Sequence, residues 1–242
     1  EIGTGSASGT VSTSRLVNDG ALAFNHTDAL TFDAPIEGNG SLHKSGSGRL
    51  TLTGDSTLSG PTYLQAGQLA VNGSLAFSPV TVTGGTVSGT GTVGGLILQS
   101  GATVAPGNSI GTLNVAGNLS FGPGSFYALE IDGAGRSDRI AATGTATLTG
   151  GTVQILPDQG INFLADHPYT ILTAQGGRTG TFAGTQSQDF AFITPTLGYS
   201  ANAVTLTMVR KTVPPTPPTP PVPPTPPAPT PTPEPTPTPT PP

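Results

Sequence analysis

Cysteine and tryptophan are absent from this 242-residue chain, which has one methionine, two lysines and four glutamates. Without cysteine there is no disulfide framework and no thiolate metal site. A helical bundle needs Lys, Glu, Met and similar helix formers on its surface, and too few are present to write one. Charged residues make up 9% of the chain and the net charge is -5, with the eight cations scattered singly except for Arg210-Lys211. No basic footprint for nucleic acid exists. No run approaches 18 consecutive apolar residues, and Glu1-Ile2-Gly3 is neither basic nor apolar. A membrane helix and a signal peptide are therefore not expected, and both ends read as cut from something longer.

Glycine and proline are abundant, and they are kept apart. All 35 glycines precede residue 212, whereas most of the 26 prolines follow residue 213. The glycines follow no strict three-residue period, which excludes collagen. The proline-threonine tail, 212–242, lacks the N–H groups that helix or sheet requires. Extended polyproline II is expected there, a stiff disordered-type spacer reaching roughly 90 Å at about 3.1 Å per residue.

The body alternates apolar residues with Thr, Ser or Asn in short stretches such as Arg49-Leu-Thr-Leu-Thr53, Pro79-Val-Thr-Val-Thr83 and Ala203-Val-Thr-Leu-Thr-Met208. Such alternation predicts half-buried strands. Gly48–Gly54, Gly67–Gly73 and Gly111–Gly117 each hold a five-residue strand between two glycines, a degenerate repeat. A β-sandwich and a parallel β-helix both accommodate short strands. A sandwich would want a better-supplied aromatic core, and residues 1–120 hold only Phe24, Phe32, Tyr63 and Phe77. The expected fold is all-β, a right-handed single-stranded parallel β-helix of on the order of ten rungs with about 20 residues in each. Residues 121–211 carry nine of the thirteen aromatics. A solenoid needs its last open rung covered, and this segment is the expected cap.

Three motifs match catalytic or binding patterns. Gly107-Asn-Ser109-Ile-Gly111 spells the nucleophile elbow, with Asp138 or Asp158 and then His167 in hydrolase order. The elbow needs a helix after the serine, and a strand is expected instead. Gly89-Thr-Gly91-Thr-Val-Gly94 spells a dinucleotide loop but also lacks the helix that would hold a pyrophosphate. Glu130 and Asp132 could act as a carboxylate pair, but are expected on a solvated face, paired with Arg136 or Arg139. His26, His43 and His167 have no metal-ligand spacing and are expected at the surface. Asparagine sequons begin at Asn25, Asn39, Asn72 and Asn118, where turn or ladder asparagine is the simpler reading. No catalytic, cofactor-binding or metal-ligating residue is assigned, and no cofactor is expected.

The stretch from Lys44-Ser-Gly-Ser-Gly-Arg-Leu-Thr-Leu-Thr-Gly54 to Gly67-Gln-Leu-Ala-Val-Asn-Gly73 resembles the autotransporter-associated β-strand repeat of Gram-negative bacteria. Gly89–Gly95, Ala105–Leu113, Ser137–Ala146, Tyr169–Ala174 and Ala203–Thr207 resemble the element before the passenger cap and the autochaperone region of the same family. The resemblance implies the C-terminal end of a surface-displayed type V passenger at the outer membrane. A translocator β-barrel would lie beyond the tail, and a cysteine-free chain would suit threading through it unfolded. The expected organisation is a stem over 1–120, a cap that nucleates folding over 121–211 and a linker over 212–242. The stem is expected to be monomeric and non-catalytic. The alternatives are an adhesin that binds a host-surface ligand, or the stem of a subtilisin-like protease or esterase whose catalytic residues lie upstream. Phe190 and Phe192 are expected to be buried in the cap.

Overall fold

A computed structural model describes residues 2–6, 13–157 and 162–212. The expected alternation gives strands throughout, and no helix occurs among the described residues. The chain coils through three faces in turn, most rungs adding a short strand to each.

The first rungs contain β1 (Ile2–Ser6) and β2 (Leu16–Val17), then β3 (Ala21–His26), β4 (Leu30–Phe32) and β5 (Ile36–Glu37). They are followed by β6 (Ser41–Ser45), β7 (Arg49–Leu52), β8 (Thr62–Leu64) and β9 (Gln68–Val71). The bent strands β10 (Ser74–Val82) and β12 (Thr92–Leu98) flank β11 (Gly85–Gly89) and each serve two faces. Next come β13 (Ala102–Pro106), β14 (Thr112–Val115), β15 (Leu119–Phe121), β16 (Phe126–Ile131) and β17 (Arg139–Ala142). The last rungs are β18 (Ala146–Leu148), β19 (Thr152–Pro157), β20 (Pro168–Ala174), β21 (Arg178–Gly180) and β22 (Gly184–Gln186). The hairpin β23 (Ile193–Tyr199) and β24 (Ala203–Arg210) ends the body.

Pairing is parallel from β1 to β22. This excludes the sandwich, whose neighbouring strands run antiparallel. The second face, in the order β4-β7-β9-β11-β13-β16-β19-β22, stacks Leu30, Leu50, Leu69, Val87, Val104, Tyr127 and Val153 in one inward lane. Parallel pairing in exact register puts the same position of each strand above its predecessor, so one inward side chain per rung builds a continuous core. These seven residues are buried. The pairing continues across residue 120 without a change of direction. It reverses only at the end, where β24 runs antiparallel to β20 and β23 antiparallel to β24. Pro195 sits on that last edge strand, where its missing N–H discourages a further strand.

The opposing lane on the first face runs Phe24, Lys44, Leu64, Val82, Leu98 and Phe121. Lys44 is fully buried in it, and its ammonium donates to the carbonyls of Ser45 at 2.6 Å and Gly46 at 2.8 Å. Burial lowers its pKa from the ordinary lysine value. His26 is likewise buried, in contrast to the surface position expected from sequence, and its Nδ1 donates to the Asp28 carbonyl at 2.8 Å. Both follow from strand parity: each lies two residues from an inward neighbour, so its Cβ must point inward.

The aromatics of the last rungs divide. Phe121, Tyr127 and Phe182 form one cluster, with Phe121 edge-on to Phe182 at 4.9 Å and stacked with Tyr127 at 6.0 Å. Tyr127 donates its hydroxyl across the coil to the Ile171 carbonyl at 2.7 Å. Phe190 packs half-buried against Phe163. Phe192 departs from expectation: it is 68% exposed, because it precedes β23 in a turn outside the stacked lanes. The body, Glu1–Lys211, is one compact unit. The proline tail from Val213 onward, and Asp158, lie outside the described residues.

Candidate functional site

Rung length sets the site. On the first face Leu22 stacks under Leu42 and Leu42 under Thr62, a repeat of 20 residues. It shortens to 18 at Val80 and 16 at Leu96, then grows to 23 at Leu119, 27 at Ala146 and 32 at Arg178. The late growth falls mainly at one corner, between the second and third faces. Gly107–Gly111 follows β13, Asp132–Asp138 follows β16, and the described residues 162–167 come between β19 and β20. The three loops therefore lie on successive rungs. Nearly every chemically suggestive residue of the sequence is carried there: Ser109, Glu130, Asp132, Arg136, Asp138 and His167.

Asp138 binds two of these rungs together. It is buried, one oxygen accepting the Gly111 N–H and the other the Glu130 N–H, both at 2.9 Å. Burial pushes its pKa up to about 7, aided by the Glu130 charge and opposed by the two N–H donors. The neutral acid is thus favoured in the folded state, whereas the unfolded side chain ionises near 3.8. The stability it contributes is fully present below about pH 4 and is lost as pH rises through about 7. Asp138→Asn cannot titrate, so wild type should lose thermal stability relative to this variant between pH 4.5 and 7.5. Melting curves at three pH values test this, and a gap that stays constant would refute it.

Asp132 does not lie on an open face as the sequence suggested. It is buried just past the end of β16, where the chain turns back over itself. One oxygen accepts the N–H groups of Ala134 at 3.0 Å and Arg136 at 2.8 Å, and the other binds the Arg136 guanidinium at 2.7 Å. Burial acts to raise its pKa, but the Arg136 and Ala134 donors outweigh it and hold the carboxyl below the ordinary value. Tyr169 joins the next loop: its hydroxyl donates to the Asp132 carbonyl at 2.9 Å and accepts the Leu164 N–H at 2.6 Å. His167, half-buried, packs edge-on against Tyr169.

Two clefts flank the Gly107–Gly111 loop. The larger, of about 430 Å³, is lined by Ser109, Ile110, Glu130, Asp132, Arg136 and Leu156 among others. The smaller lies between the loop and Arg49, Gln68 and Ser88, and Asn108 closes it by accepting from Arg49 at 3.2 Å and donating to Asn72 at 3.0 Å.

The corner brings Ser109 and Asp138 to one cleft, and His167 does not line it. Asp138 has spent both oxygens on backbone donors, and β14 follows Gly111, so no strand-to-helix turn presents the serine. Among the described residues, Ser109, Asp138 and His167 are not assembled as a triad. Gly89 ends β11, Gly91 sits in the corner and Gly94 lies within β12, so a strand and not a helix follows the motif. Among the described residues no group of three or more His, Asp or Glu side chains could hold a metal ion. Sequence reading treated these motifs singly, because a fixed rung length hides their stacking. The lengthening gaps between successive strand repeats were the signal that could have joined them.

Comparison with known proteins matches residues 42–71 to the Passenger-associated-transport-repeat family. Two extracellular serine proteases of Serratia marcescens are 39% and 35% identical over 183 and 176 residues. The adhesin BmaC autotransporter of Brucella suis biovar 1 (strain 1330) is 36% identical over 185 residues. The alignments take in 72%, 69% and 72% of this chain, which spans only 17% of each protease and 5% of the adhesin.

Proposed function

We propose that this chain, an autotransporter passenger segment by its repeat and its relatives, is a non-catalytic stem whose last rungs nucleate its folding outside the cell. Its place is extracellular, at the outer-membrane surface. The observation that carries the reading is the asymmetry of the coil. The Phe121–Tyr127–Phe182 cluster and the antiparallel hairpin β23–β24 are gathered toward one end of a stack whose other strands pair in parallel. Large aromatics bury about 150 to 250 Å² each, so this end gains most per rung. Repeat stacks grow from their most stable rung by adding neighbours. Residues 121–211 act as the cap, residues 1–120 as the stem and residues 212–242 as a spacer toward a translocator β-barrel. The segment acts as a monomer.

Limited proteolysis with thermolysin at intermediate urea tests the order of stability. Residues 121–211 should stay protected while residues 1–120 are digested. A stem that remains protected after the cap is cut would refute nucleation by the cap. A second reading, binding of a host ligand by the coil, is favoured by the named adhesin among the relatives. Binding of the whole chain to host cells would support it.

A further inference from the structure

The larger cleft at the loop corner has no part in a passive stem, yet its chemistry is specific. Its apolar wall is Ile110, Leu156 and Pro157, and Leu156 leaves 50% of its surface exposed. Its polar side is Ser109, Glu130 and the Asp132–Arg136 pair. Most charges lining the two clefts are already committed. Asp132 and Arg136 satisfy each other at 2.7 Å, Arg49 donates to Asn108, and Asp138 accepts two backbone N–H groups. The Glu130 carboxylate and the Ser109 hydroxyl have no partner among the described residues.

We propose that this cleft binds a cationic side chain of a basic peptide segment. Lysine and arginine combine a charged head with an apolar stem, and they pack the stem on hydrocarbon while the head reaches a polar group. The head would meet the Glu130 carboxylate and the Ser109 hydroxyl, and the stem would lie along Ile110 and Leu156. The Gly107–Gly111 loop supplies one wall and β19 the other, so the site exists only where the rungs lengthen.

Nuclear magnetic resonance titration of the whole chain with acetyl-Ala-Lys-Ala-amide tests the proposal. Acetyl-Ala-norleucine-Ala-amide and acetyl-Ala-Glu-Ala-amide serve as controls. The expected result is saturable shifts at Ser109, Ile110, Glu130 and Leu156 with the lysine peptide, weakened severalfold by 0.5 M salt. Glu130→Gln should lower the affinity at least tenfold, as expected for a partly desolvated charge pair. Leu156→Ser should weaken binding without removing the salt dependence, which keeps the test decisive if Glu130→Gln fails to fold. Equal binding of the norleucine or glutamate peptide, an unchanged affinity in Glu130→Gln, or the absence of saturable shifts would overturn it.

Discussion

Tyr127→Ala should destabilise the body by about 3 to 5 kcal/mol, the usual cost of deleting a buried aromatic ring. Tyr127 is completely buried and is one of the two largest fully buried side chains among the described residues. Its ring fills the second-face lane between Val104 and Val153 and touches both Phe121 and Phe182. A neighbouring rung cannot collapse into the space, because its own position is fixed by the backbone ladder on both sides. Tyr127→Phe separates packing from hydrogen bonding. It keeps the ring but strips the Ile171 carbonyl of its donor, at a cost of about 1 to 3 kcal/mol. Urea unfolding of both variants measures the two effects. A Tyr127→Ala variant that unfolds at the wild-type midpoint would show that the cluster contributes nothing.

Gly91→Ala should cost roughly 3 kcal/mol, the upper end of the range for over-packing. Gly54, Gly73 and Gly91 stand above one another at one corner of successive rungs. A Cβ on Gly73 would run into the Gly54 carbonyl oxygen, and one on Gly91 into that of Gly73. The clashing atom is backbone, held by the Thr92 N–H bond to the Gly73 carbonyl at 3.1 Å, so it cannot turn aside as a flexible side chain would. The rungs would have to part locally. Loss of amide protection in residues 71–75 and 89–93, measured by hydrogen exchange, should accompany the drop in stability. Unchanged protection would mean that the corner can yield.

Much of the coil was legible in the residues because its rules are local. Leu50 and Leu52 alternate with Thr51 and Thr53, and that parity alone turns them inward. The same parity buries Lys44 and His26, which residue type argues should be outside. There the pattern was right and the composition misleading, since a lysine can satisfy its ammonium on corner carbonyls without leaving the core. Phe192 failed in the opposite way: its type suggested burial, but it stands outside any strand. The loop corner was less legible still. Ser109, Glu130, Asp132 and Asp138 are spread over 30 residues, and only the rung lengths bring them side by side. Those lengths depend on how many residues each corner absorbs, which no local pattern states.

The lanes carry a consequence for how such stems vary. Thr62 stacks under Val80, Leu64 under Val82 and Gln68 under Thr86, each 18 residues apart. A loss or duplication of that whole interval returns the chain to the same face, the same parity and the same glycine corner. A change of one residue would instead turn a strand's apolar side to water. Variation in stem height is therefore counted in whole rungs, each about 4.8 Å, like a ladder shortened or extended only between its steps.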